Sequence, residues 1–174
     1  MKRISEKRAL EKLRAVKSRY RATIAGEYEH AAKSCLTCDT PGACCLDAHF
    51  VNVHISRLEA VAIRGKLTEF GPETLGRVTK RIGAAIERYG LEADGDTFLQ
   101  TFACPLFEPG TGCLAHGDEK PLPCITHACY ENAADLPPDK LLSDQETIVA
   151  HLSERTYGGN DPWLPIPLAL QRIA

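Results

Sequence analysis

The chain has 174 residues, 44% of them hydrophobic and 25% charged, with a formal net charge of -2, enough for one domain with a real core and too few for two comfortable ones. No apolar run approaches the ~18–20 residues of a membrane span. No hydrophobic stretch follows the charged start, as a secretory signal would require, so a cytoplasmic protein with no membrane partner is expected.

Aromatic residues are only 6% of the chain, which leaves Leu, Ile, Val and Ala to build the core. The charge is unevenly placed. Lys2, Arg3, Lys7, Arg8, Lys12, Arg14, Lys17, Arg19 and Arg21 face only Glu6 and Glu11 in the first 21 residues, and the rest of the chain is acidic. Those acidic residues and the helical continuation set the start apart from an organelle transit peptide, which is poor in acidic residues.

Residues 4–33 read as one long helix. Leu10, Leu13, Val16, Tyr20, Ile24, Tyr28 and Ala31 recur in steps of three and four, which makes one apolar stripe. The basic residues lie mostly off it. From Cys35 to Asp47 there is no periodicity, and Pro41 and Gly42 mark a loop. His49 to Ile55 partly alternates and predicts a short strand. Ser56 and Glu59 form a capping box that opens a helix to about Arg64, with Gly65 as its end. Pro72 opens the next helix, Leu75, Val78, Ile82, Ala85, Ile86 and Tyr89 give it an apolar face, and Gly90 stops it.

Thr97–Ala103 predicts a strand leading into a Pro- and Gly-rich block over 104–129. Beyond Pro137-Pro138, Ser143 and Glu146 suggest a second capping box for a helix to Tyr157, ended by Gly158. The last residues, with prolines at 162, 165 and 167, begin extended and bring Trp163 and several leucines to seal the core. The expected fold is mainly α with irregular Cys-rich loops and a few short strands, a small metal-bound domain. Its expected parts are a basic amphipathic helix (1–34), a cysteine-cluster metal-binding domain (35–136), and a helix with a Pro-rich tail packing on it (137–174).

The eight cysteines are the outlying feature. They fall in two blocks, Cys35-x2-Cys38-x5-Cys44-Cys45 and Cys104-x8-Cys113-x10-Cys124-x4-Cys129. Reducing compartments do not keep structural disulfides, and a domain this long folds without staples. The adjacent pair Cys44-Cys45 and the two-residue gap before Cys38 suit ligation better than bridging. Metal ligands are therefore expected among all eight: Cys35, Cys38, Cys44, Cys45, Cys104, Cys113, Cys124 and Cys129.

The order CxxC, a short gap, CC, an acidic residue at a helix start (Glu59), then Cys104-Pro105-Leu106-Phe107, Cys113-Leu114-Ala115-His116, Lys120-Pro121 and a further Cys resembles the YkgJ-type cysteine-cluster family. That family is also described as the CxxCxxCC zinc- or iron-chelating domain. The resemblance covers about Cys35 to Cys129. Here five residues separate Cys38 from Cys44 where the family name implies two. Lys120-Pro121 stands where the family tends to have Arg-Pro, and Ile125 where it often has Arg. The resemblance implies metal chelation and says little of reaction or substrate.

Zinc fits closed thiolate sites, which are structural as a rule. An iron–sulfur cluster also takes four thiolates, and Cys104-Pro105 is like the Cys-Pro of ferredoxins. Zinc is the favoured metal; an iron–sulfur redox protein, or metal storage or delivery, are the alternatives. His49, His54, His116 and His127 lie in or beside the cysteine blocks, and His127, between two cysteines, is the first candidate to replace a thiolate. His30 and His151 read as surface residues on helices. Asp39, Asp47 and Glu108 read as solvated loop carboxylates. No catalytic residue is singled out. Nucleic acid is not the expected partner of the basic arm, because the acidic body would repel a polyanion. A protein partner, or a second copy through the N-terminal helix, stays open.

Overall fold

In the computed structural model the described residues are 2–33, 39–40, 42–46, 51–94, 96–159 and 161–173. They are mainly helical, with a few two-residue strands. Cys35, Cys38, Asp47 and His49 lie outside them.

Ser5 caps α1 (Glu6–Glu27) by accepting from the Arg8 N–H at 3.4 Å. The helix is shorter than the stripe predicts. It ends at Tyr28, and a 3-10 turn over Glu29–Ala31 leads into β1 (Ala32–Lys33). Gly26 weakens its last turn by ~1 kcal/mol. The stripe itself holds: Leu13, Val16, Tyr20 and Ile24 are buried against the body of the same chain, each worth about 1.5–3 kcal/mol.

α2 (Ala43–Leu46) is a single turn, and β2 is formed by His54–Ile55. The Ser56–Glu59 capping box is present in full at the start of α3 (Arg57–Glu69). That helix runs through Gly65 rather than ending there, because Leu67, one turn beyond buried Ile63, is itself only 1% exposed. α4 (Pro72–Tyr89) lies between Gly71 and a left-handed Gly90 and buries Val78, Ile82 and Ala85.

No strand forms over Thr97–Ala103. Asp96 accepts from the Phe98 N–H and winds Thr97–Leu99 into a 3-10 turn. β3 (Phe107–Glu108) and β4 (Gly112–Cys113) make a hairpin, followed by α5 (Leu122–Thr126) and β5 (Cys129–Tyr130). α6 (Asp139–Tyr157) starts at Pro138, a turn earlier than the Ser143 signal. Ser143 lies inside the helix with its hydroxyl 3.5 Å from the Lys140 carbonyl, so the second capping box is absent. β6 (Leu164–Pro165) precedes α7 (Ile166–Arg172), a helix the prolines of the tail concealed.

Two antiparallel pairings tie distant parts of the chain, β1 with β5 and β2 with β6, and the third, β3 with β4, closes the hairpin. Two apolar clusters form the interior. In one, α4 and α3 pack on α7 around Ile63, Leu67, Val78, Phe102 and Ile166. In the other, α1 packs on α6, α5 and α3 around Leu13, Leu58, Leu122 and Val149. The cysteine-bearing segments connect the two.

Candidate metal centre

The first cysteine block meets the second through backbone. Gly42 takes φ 81° and its carbonyl accepts from Cys45 N at 2.9 Å and Leu46 N at 3.0 Å, closing the turn that carries Cys44 and Cys45. The ring of Phe107, from the second block, lies where a Cβ at position 42 would stand. Glycine is thus needed there twice over, for its conformation and for the approach. Beside this contact, Cys104 N donates to Cys45 O at 2.7 Å.

Four thiols, Cys45, Cys104, Cys113 and Cys124, share one electrostatic neighbourhood. Burial pushes Cys45 up to about 12, with negative charge on Cys104, Cys44 and Cys113 adding to it. Burial likewise takes Cys104 to about 12, with Cys113 adding. Cys124 is raised well above the usual range by burial and then by Cys104, Cys113 and Cys45. Cys113 is raised by burial alone. Each of the four is half-buried and unbridged.

The backbone opposes that burial at two sulfurs. Leu106 and Phe107 N–H groups donate to Cys104, and the Ala115 N–H donates to Cys113. Donors aimed at a sulfur favour its thiolate form. Two cations do the same from a distance: Arg81 of α4 acts on Cys104, and Lys120 on both Cys113 and Cys124. Arg81 is held by Pro105 O at 2.9 Å and by Glu108 at 3.5 Å. Glu108 is therefore an ion-pair partner of Arg81 and of Arg77, at 3.1 Å.

Cys124 owes its place to α1 and α3. Lys17 Nζ lies 3.0 Å from Glu59 Oε1 with both side chains fully buried. The same Glu59 oxygen accepts from Leu122 N at 3.1 Å, at the start of α5. Lys17 also reaches Glu119 O at 3.5 Å. Farther along α1, the Tyr20 hydroxyl bonds Thr126, and Arg21 donates to Gly117 O. The helix outside the family resemblance thus grips the segment that bears Cys124.

The remaining candidates separate. Cys44 bonds Cys45. Cys129 sits in β5 opposite Lys33. His54 spends its ring on the Thr97 hydroxyl at 2.9 Å and stacks on Phe98. Burial and Lys120 hold both His116 and His127 below the usual histidine value. His30 and His151 are exposed, as is Asp39. Among the described residues, no three His, Cys, Asp or Glu side chains are gathered so as to hold a metal ion as they stand. The four thiols fit a tetrathiolate in kind and number, and a closed shell would require them to draw together.

The structure is that of a small, mainly helical protein in which four half-buried thiols from the two cysteine blocks interact electrostatically. Comparison with known protein families, with curated proteins and with solved structures gives no significant match.

Proposed function

We propose that the protein binds a metal ion through Cys45, Cys104, Cys113 and Cys124, with zinc as the metal and a structural role for it. The observation that carries this reading is the set of backbone N–H donors on Cys104 and Cys113 within a neighbourhood of four thiols from both blocks. Buried thiols that repel one another's ionisation gain most from a cation among them. Zinc takes four thiolates tetrahedrally at about 2.3 Å. Four thiolates leave a formal excess of negative charge over a divalent ion, which Arg81 and Lys120 are placed to offset.

When bound, zinc would supply a cross-link between the two cysteine blocks and no redox chemistry. Anaerobic purification followed by elemental analysis and a visible absorption spectrum tests the reading. One zinc or more per chain with a featureless visible spectrum is expected. A brown protein containing iron and sulfide would replace zinc by an iron–sulfur centre, and absence of both metals would reject metal binding.

A further inference from the structure

A cavity of about 260 Å³ opens between α1 and the segment after the hairpin, beside the turn that carries Cys124. Arg21 and Lys120 supply its positive charge and Ile24 and Ile125 part of its apolar lining, with Glu29 and His116 also in its wall. We propose that it binds a small organic carboxylate with an apolar body, the carboxylate held between Arg21 and Lys120.

The two cations are differently committed. Arg21 is fixed from behind, donating to Gly117 O and lying 3.8 Å from Asp118. Among the described residues Lys120 has no carboxylate within ion-pair distance for an incoming anion to displace. Burial first, and then the positive charges of Lys120 and Arg21, hold His116 at the cavity below the usual histidine value. Glu29 works in the other direction and disfavours a multiply charged anion, which argues for a monocarboxylate over phosphate. Ile24 and Ile125, 3% and 5% exposed, are interior side chains that back the cavity wall. Small-molecule sites share this composition, an apolar lining with a few polar groups that fix orientation. Lys120 also acts on Cys113 and Cys124, so elemental analysis of each variant reads metal content separately from carboxylate binding.

The test is an amide NMR titration of the full chain, as purified, with isovalerate. Shifts confined to the amides of Ile24, Gly117, Lys120 and Ile125 are expected. Lys120→Gln and Arg21→Gln should each weaken the affinity about tenfold, the loss of one charge-assisted contact. Isoamyl alcohol, with the same carbon skeleton and no charge, should bind far more weakly. Absent or scattered shifts, equal binding of the alcohol, tighter binding of inorganic phosphate, or unchanged affinity in either folded variant would overturn the proposal.

Discussion

Lys17 and Glu59 form an ion pair of 3.0 Å in which neither side chain touches solvent. Glu59 is also bonded by Ser56 N and Oγ, at 3.2 and 3.3 Å, and by Leu122 N at 3.1 Å. One carboxylate thus joins the cap of α3, the core face of α1 and the first turn of α5. Such a pair is poor in net stability but costly to break from one side.

Lys17→Met should therefore destabilise the chain by about 3–5 kcal/mol, because it strands a buried carboxylate. Glu59→Gln should cost a comparable amount by stranding the ammonium, although an amide can still accept from Leu122 N. Urea unfolding of the two variants measures both. A change below ~1 kcal/mol in Lys17→Met, as for an exposed pair, would show that water reaches this site.

The four thiols make a second prediction. Cys45→Ser, Cys104→Ser, Cys113→Ser and Cys124→Ser should each strip most of the metal, whereas Cys44→Ser, which acts only through Cys45, should retain it. Metal content of each purified variant decides. Full occupancy in Cys113→Ser or Cys124→Ser would move the ligand set to other cysteines.

Part of this was readable along the chain. Pro72, the apolar face through Val78 and Ile82, and Gly90 are local signals, and α4 follows them to the residue. The Ser56–Glu59 box also forms as read. Much of what failed depends on partners elsewhere in the chain. α3 passes Gly65 because Leu67 finds a core, whereas the turn of Thr97–Leu99 follows from a local signal, the Asp96 cap. Lys17 is one of the basic residues of α1, yet it follows Val16 on the buried face four residues after Leu13. A lysine in an apolar stripe was the available signal, but only the fold shows that Glu59 answers it. The cysteine blocks were legible as chemistry, whereas the grouping of Cys45 with Cys104, Cys113 and Cys124 rests on contacts such as that of Gly42 with Phe107.

His54 makes stability depend on pH. Burial holds it below its ordinary value of 6.5, so the unfolded chain takes up a proton more readily than the folded one. Its contribution is present above pH about 6.5 and is lost as pH falls through the lower folded value, by up to ~1.4 kcal/mol per unit. His54→Gln should therefore narrow the difference in stability between pH 7.5 and pH 5 relative to the unaltered protein. Denaturant midpoints across that range provide the check, and parallel pH profiles for the two proteins would contradict it.

Metal removal should separate the cysteine segments from the helical clusters. The hairpin of β3 and β4, the turn of α2 and the single turn of α5 are short, and their ties to one another are a few backbone bonds and the Glu59 contact. Binding free energy on the order of 10 kcal/mol per structural zinc is comparable to the whole stability of a domain. A strong chelator should thus lower the melting temperature sharply. The packing of α4 on α7 and of α1 on α6 uses apolar side chains such as Val78, Ile166, Leu13 and Val149, so most far-UV helical signal should survive at low temperature. Amide exchange should quicken first over residues 104–126, while α4 stays protected. Circular dichroism melts and exchange before and after chelation read both effects. An unchanged melt for fully demetallated protein would remove the structural role of the metal and favour redox or delivery in its place.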